Sequence, residues 1–260
     1  MTRGGSTAKG MIVAYDLATG TEKWNWDGDG TAYSSPVLQI VDGKKVMVAE
    51  TAKNIVGISV ADGKLLWQTP FAVEGRGYNA STPLVDGTTV IYGGSTRGTK
   101  AMKIEKQDDK YAMKELWANK DNSVVYNSPI IKNGLLFGLS SSDNLFCINL
   151  ESGKTAWTAP VQKKPQAPAT PPAEKGPPGK GMGGRGMRAG GGYGNIVDAG
   201  NVLFVLTPNS PLIVFESSDK EFKQLASYKL GEGDTYAYPI IDGNRIFIKD
   251  KDNVTLWTVD

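Results

Sequence analysis

One short phrase recurs along the chain and limits what it can fold into. It reads Tyr33-Ser34-Ser35-Pro36, Tyr126-Asn127-Ser128-Pro129 and Tyr236-Ala237-Tyr238-Pro239, with a longer form at Tyr78-Asn79-Ala80-Ser81-Thr82-Pro83 and a degenerate one at Tyr193-Gly194-Asn195-Ile196. Each copy opens a short apolar run, Val37-Leu38 or Ile240-Ile241 for example. A turn pair follows: Asp42-Gly43, Asp86-Gly87, Asn133-Gly134, Ala199-Gly200 or Asp242-Gly243. Asp-Gly and Asn-Gly tolerate the positive φ of tight hairpin turns. Then comes a second run of β-branched and aromatic residues, such as Val90-Ile91-Tyr92 or Ile246-Phe247-Ile248, the composition that strands prefer.

The second half of the unit is sharper. Its best copy is Ala14-Tyr15-Asp16-Leu17-Ala18-Thr19-Gly20-Thr21-Glu22-Lys23-Trp24. Gly57 to Trp67 and Cys147 to Trp157 keep the same spacing of ten, and Lys103 to Trp117 is a stretched copy. A fifth copy opens at Val214-Phe215-Glu216 and is read as ending in Leu225 in place of tryptophan. Each unit therefore predicts four strands joined by turns. The prolines at 36, 83 and 129 lie 47 and 46 residues apart, and the gap of 110 to Pro239 holds two units plus an insert. Four-stranded units of about 40–50 residues predict an all-β fold, a β-propeller of antiparallel blades. One such sheet cannot bury both faces, so neighbours must stack on it. A tryptophan once per blade suits the seam, and Trp24, Trp67, Trp117 and Trp157 are assigned that structural role.

The four full blades are expected at about 33–70, 78–119, 126–160 and 193–230, within a single domain spanning 1–260. Partial blades are expected at 11–26, supplying strands three and four, and at 236–260, supplying strands one to three. The propeller is thus incomplete, with a closed five-bladed ring as the alternative. Residues 161–192 carry six Lys/Arg against one acid, Glu174, a surplus of five. The whole chain is +2, so the rest is −3, which argues against a general nucleic-acid-binding surface. The Pro- and Gly-rich composition of 161–192 predicts a disordered linker. Its Arg-Gly tract would be the one segment able to pair with phosphates.

The phrase Ala-x-Asp-x-x-Thr-Gly-x-x-x-Trp at 14–24 resembles the tryptophan-docking motif of PQQ-type repeat propellers. That family includes quinoprotein alcohol dehydrogenases and BamB-like outer-membrane assembly factors, and the resemblance covers nearly all of the chain outside 161–192. It implies a bacterial, extracytoplasmic scaffold that binds protein partners. Because such propellers have seven or eight blades, it also implies about three further blades upstream, with any signal peptide. Met1 to Gly10 has no apolar core of its own, so no signal peptide is read there. No apolar run approaches the ~20 residues that would span a bilayer.

The alternative within the resemblance is a PQQ-dependent dehydrogenase. Such enzymes use adjacent cysteines against the quinone, a calcium ion held by carboxylates and amides, and an aspartate base. This chain has one cysteine, Cys147, and no histidine, which removes the commonest general base and metal ligand. Cys147 lies in the apolar run Leu145-Phe146-Cys147-Ile148 and is read as a small core residue. The acidic stretch Trp26-Asp27-Gly28-Asp29-Gly30 lacks calcium-loop spacing and is read as a turn between blades. No catalytic, cofactor or metal residue is assigned, with PQQ and calcium implied only under the alternative. The candidate partner-facing rim is Tyr33, Tyr78, Tyr126, Tyr193 and Tyr236, one before the first strand of each blade. Ser34, Asn79, Asn127 and Asn195 are expected beside it as a polar complement.

Overall fold

The computed structural model describes residues 2–3, 10–73, 78–108, 110–161, 191–208, 211–230 and 234–259. The insert is expected at 161–192, and its residues 162–190 lie outside this set. Its two ends belong to the folded part: Val161 is buried in an apolar cluster, and the Gly192 amide donates to the Asp143 carboxylate at 2.8 Å.

Alternating apolar residues and tight turns build six antiparallel sheets, each a meander. Sheet one holds β1 (Thr2–Arg3), β2 (Met11–Tyr15) and β3 (Glu22–Trp26). Sheet two holds β4 (Val37–Val41), β5 (Lys44–Glu50), β6 (Asn54–Ser59) and β7 (Leu65–Pro70). Sheet three holds β8 (Leu84–Asp86), β9 (Thr89–Gly94), β10 (Gly98–Gln107) and β11 (Lys110–Asn119). Sheet four holds β12 (Ile130–Lys132), β13 (Leu135–Leu139), β14 (Asn144–Asn149) and β15 (Thr155–Pro160). Sheet five holds β16 (Asn195–Asp198), β17 (Leu203–Leu206), β18 (Leu212–Phe215) and β19 (Gln224–Tyr228). Sheet six holds β20 (Ile240–Asp242), β21 (Arg245–Lys249) and β22 (Val254–Thr258).

Five apolar clusters fill the five seams between consecutive sheets. Ile12 meets Ala49, Val56 and Ile58 between sheets one and two. Val46, Val48 and Ile55 meet Val90, Tyr92 and Ile104 in the next seam. Ile91 and Trp117 meet Leu136 and Phe146, Phe137 and Trp157 meet Val205 and Phe215, and Phe204 and Leu206 meet Ile246 and Ile248. Among the described residues no cluster joins sheet six to sheet one. The fold is an open arc, an incomplete propeller.

Sheet one differs from the sequence expectation of two strands, because Thr2–Arg3 pairs with Met11 and Ile12. Among the described residues no strand lies inside β1, and Leu38 and Ile40 of the neighbouring sheet are exposed.

The recurring tryptophan has a geometric partner within its own sheet. Trp24 pairs with Ala14, Trp67 with Gly57, Trp117 with Ala101 and Trp157 with Cys147. A register shift follows each of these small residues. A β-bulge bends and twists the outer strand, and a small partner leaves room for the indole: a Cβ on Gly57 would come within 2.0 Å of the Trp67 ring. Cys147 is accordingly a small packing residue, its thiol pushed up to about 12 by burial and secondarily by Asp219.

Three of the four indoles also hydrogen-bond to the next sheet. Trp24 Nε1 donates to the Val60 carbonyl, Trp117 Nε1 to Leu150 and Trp157 Nε1 to Ser218, at 2.7–2.9 Å. All three acceptors lie in the turn between the third and fourth strands of the following sheet. Trp67 Nε1 is buried without a partner. In sheet three that turn does not exist, because β10 and β11 run on as a hairpin to Gln107 and Lys110. The stretched repeat thus removes the acceptor that its neighbour needs.

The turn glycine serves the seam as well. Gly153 has φ +69°, and a Cβ there would lie 2.5 Å from Trp117 Cγ. Gly134 has φ +73° and nothing within 4 Å of such a Cβ. Gly134→Ala should therefore cost only the left-handed backbone term, about 1–2 kcal/mol. Gly153→Ala adds displacement of the indole and should cost about 1–3 kcal/mol more. Chemical denaturation of both variants checks this; equal losses would show that the Trp117 contact carries no weight.

Candidate functional site

The loops that enter the first strand of each blade all emerge at one end of the sheets, opposite the first hairpin turns. There the five tyrosines come together in two groups. Tyr33 and Tyr78 meet edge to face, with ring centroids 5.2 Å apart and planes at 89°. Tyr126 stacks on Tyr193 at 4.4 Å and 11°, and Tyr193 meets Tyr236 edge to face at 5.8 Å. Tyr33, Tyr78, Tyr126 and Tyr236 are exposed, as is Tyr238, while Tyr193 is half-buried between its neighbours. Burial comes first in raising the Tyr193 hydroxyl above its ordinary pKa, followed by Tyr126. No ring contact joins Tyr78 to Tyr126 among those described.

The asparagines expected beside the tyrosines take a different place. Asn79, Asn127 and Asn195 are all buried. Asn79 Nδ2 donates to the carbonyls of Thr51 and Phe71 at 2.9 and 3.0 Å, and its Oδ1 accepts from Arg97 at 2.7 Å. Asn127 Nδ2 donates to Leu139 and Gly192, and Asn195 Nδ2 to Tyr236. They are braces that satisfy loop carbonyls which would otherwise be buried unpaired, not a polar face for a partner. Ser34 is likewise spent on the Glu50 carbonyl.

The residues before Pro36, Pro83 and Pro129 add a second brace. The Ser35 amide donates to Thr82 Oγ1 at 3.1 Å, and the Thr82 amide donates to Ser128 Oγ at 3.0 Å. Equivalent hydroxyls thus link sheets two, three and four, one sheet to the next. The Tyr-x-Ser/Thr-Pro phrase divides its labour: asparagine and hydroxyl fix the backbone, and tyrosine is left at the surface.

Asp29 belongs to this network. Burial opposes its ionisation, but donors at Thr51, Asn54, Gly30 and Lys53 outweigh that and hold it below the usual carboxylate range. The contacts are 2.6–3.0 Å, so the carboxylate braces a loop, as the turn reading of 26–30 expects. Among the described residues no group of three or more His, Cys, Asp or Glu could hold a metal ion. The hairpin turns at the opposite end border an open groove of about 610 Å³ that includes Asp86, Glu151, Glu216 and Asp219. Glu216 there is paired with Lys223 at 2.7 Å.

Trp67, Trp117 and Trp157 are buried in the seams, and Trp24 is half-buried in the first. Leu225, read as the fifth copy's substitute for tryptophan, does not occupy that place. Ala226 pairs with Val214 just before the register shift, as Trp157 does with Cys147. Leu225 falls one residue earlier and is exposed.

No helix in the described chain is long and apolar enough to cross a membrane. No curated protein matches the sequence. Among solved structures, BamB from Moraxella catarrhalis is 13% identical over 96% of this chain and 79% of that one, with a TM-score of 0.46. A chain of the mitotic checkpoint complex is 12% identical over 96% of this chain and 70% of that one, with a TM-score of 0.60; that likeness is one of fold alone. The family model described as outer membrane protein assembly factor BamB matches residues 4–159. With its four-stranded repeats and docked tryptophans, the chain belongs to this BamB family of PQQ-like repeat proteins.

Proposed function

We propose that the chain is a non-catalytic scaffold, working outside the cytoplasm, that holds a protein partner against its tyrosine arc. The observation that carries this reading is the division of labour in the repeat. Asparagine and hydroxyl side chains are consumed in rigid loop bracing, while Tyr33, Tyr78, Tyr126 and Tyr236 stay exposed and the tyrosines touch within a pair and a triple. Exposed aromatic rings on a fixed backbone bury much area at little cost in side-chain entropy, and such residues dominate binding hot spots. The family description adds outer-membrane assembly as the setting. The reading calls for no quinone and no metal.

The test uses the immobilised chain and a detergent extract of bacterial outer membrane, with captured proteins identified by mass. Tyr126→Ala combined with Tyr236→Ala should reduce capture of the main partner at least about tenfold, equivalent to roughly 1.4 kcal/mol, with near-UV circular dichroism unchanged. If the Ala variants only lose stability and Phe variants capture normally, the arc is packing and the proposal fails. Retained quinone absorbance with dye-linked alcohol oxidation, after adding PQQ and calcium, would overturn it in favour of the dehydrogenase.

A further inference from the structure

The tyrosine pair and the tyrosine triple are held in different ways. In the triple, Asn127 Oδ1 accepts from a backbone amide, that of Leu139, at 3.3 Å. In the pair the corresponding atom, Asn79 Oδ1, accepts from a side chain, Arg97 Nη2, at 2.7 Å. Nη1 of the same guanidinium donates to the Phe71 carbonyl at 2.6 Å. Phe71 follows β7, and Asn79 follows Tyr78 on the way into β8, so the two are the stems of one loop. One planar fork therefore pins both stems, which the single-point ammonium of a lysine could not do.

The fork is itself fixed on three sides. Its central carbon lies over the Phe71 ring, 3.9 Å from the centroid, where the ring face attracts the cation. Phe71 in turn stands edge to face on Tyr92 at 4.8 Å, within the seam between sheets two and three. Arg97 leaves the β9–β10 turn beside Thr96, a β-branched residue at φ +62°. That backbone is disfavoured for such a side chain, and strain held in this way accompanies functional positions. Across the guanidinium, Gly94 leaves the space open: a Cβ there would fall on Arg97 Nη2.

From the fork the constraint passes to both rings. Asn79 is the chain neighbour of Tyr78, and its carbonyl accepts the Tyr33 amide at 2.9 Å. Asn79 thus ties together the two backbones whose rings meet at 5.2 Å. We infer that Arg97 is a positioning residue, bridging the stems of this loop and so presenting Tyr33 and Tyr78 edge to face to a partner. This role rests on the tyrosine-arc reading, while the geometry of the pair can be read without a partner. A preset pair binds more tightly than a mobile one, because less ordering is left to do on contact.

Two variants release the fork by different routes. Arg97→Lys keeps the charge and loses the bridge; Gly94→Ala keeps the arginine and displaces its guanidinium. NMR on the full chain with labelled tyrosines reads the Tyr33–Tyr78 ring NOE and hydrogen exchange at the Tyr33 amide. The Tyr126–Tyr193 ring NOE is the internal control. Both variants should lose most of the first NOE and speed Tyr33 exchange at least about tenfold, with the control NOE unchanged. A retained Tyr33–Tyr78 NOE overturns the positioning role. So does loss of both NOEs together, which would be general destabilisation. Capture from the outer-membrane extract should fall about threefold or more in Arg97→Lys. It should fall no further where Tyr33→Ala and Tyr78→Ala are already present. A further fall in that background overturns positioning, since Arg97 would then act on the partner itself. Capture that ignores every tyrosine, with the pair's NOE lost as expected, overturns the tyrosine-arc reading rather than the clamp.

Discussion

Trp157→Ala is expected to lower the unfolding free energy by about 3–5 kcal/mol, the range for removing a large aromatic from a packed core. Trp157 is buried, its ring lying 6.0 Å from Phe137 and 5.7 Å from Phe222. Its indole N–H satisfies the Ser218 carbonyl across the seam at 2.8 Å. Truncation leaves a cavity among Phe137, Phe215 and Phe222 and an acceptor without its donor. The loss falls on the single seam that joins sheets one to four with sheets five and six. In a linear stack, cooperativity depends on such neighbour interfaces, so the variant should also melt in two steps where the wild type melts in one. Trp24→Ala should cost about 1–2 kcal/mol, because that ring is half-buried and removes less surface from water. Urea titration with circular dichroism measures both. A loss below about 1 kcal/mol for Trp157→Ala would show that the docking residue is not what couples the blades.

The fold was legible because its signals are local and repeated. Asp-Gly pairs mark hairpins wherever they fall, and a tryptophan at fixed spacing marks the outer strand. What lay beyond the sequence depends on a neighbour. Asn79, Asn127 and Asn195 read as surface polar groups, since an asparagine beside a tyrosine in a loop gives no sign that carbonyls from two other segments will converge on it. Leu225 was misplaced because the turn between the third and fourth strands is longer in this copy: Val214 to its partner Ala226 spans twelve positions where Cys147 to Trp157 spans ten, and an unaligned apolar residue attracts the assignment. The orphaned Trp67 indole could not be foreseen from its own repeat, which is intact; the cause is the long hairpin 98–119 in the next one. The tyrosines were found as a repeat, but only the structure shows them split into a pair and a triple with ring contacts inside each. An even ring would treat its five members alike. The split predicts that substitutions within Tyr126, Tyr193 and Tyr236 act as a unit and combine non-additively.

Glu50 is the position where a conservative change should raise stability most. It ends β5, is 3% exposed, and neither carboxylate oxygen has a hydrogen-bond partner. Ionising it there means stripping a charge of water with nothing in exchange. The cation that bears on it is Arg97, whose guanidinium is already engaged by the Phe71 carbonyl at 2.6 Å, by Asn79 at 2.7 Å and by the Phe71 ring. Burial therefore dominates, the Arg97 charge opposes it only in part, and the carboxyl is pushed up to about 8 from an ordinary 4.5. Below about pH 4.5 the group is neutral folded and unfolded, and the proton has no effect on folding. Between 4.5 and 8 the unfolded chain releases the proton while the folded chain keeps it, so stability falls as pH rises, by up to about 1.4 kcal/mol per unit. Above about 8 both states are ionised and the full penalty stands. Glu50→Gln keeps the shape and removes the charge. Its advantage over wild type should be small near pH 4.5, grow through neutrality and level off above pH 8 at several kcal/mol, on the order of 2–4 after allowance for relaxation. Melting curves from pH 4.5 to 9 on both proteins give the comparison. Parallel pH profiles would mean that Glu50 finds a partner or solvent on ionising, and that the seam between sheets two and three opens to let it.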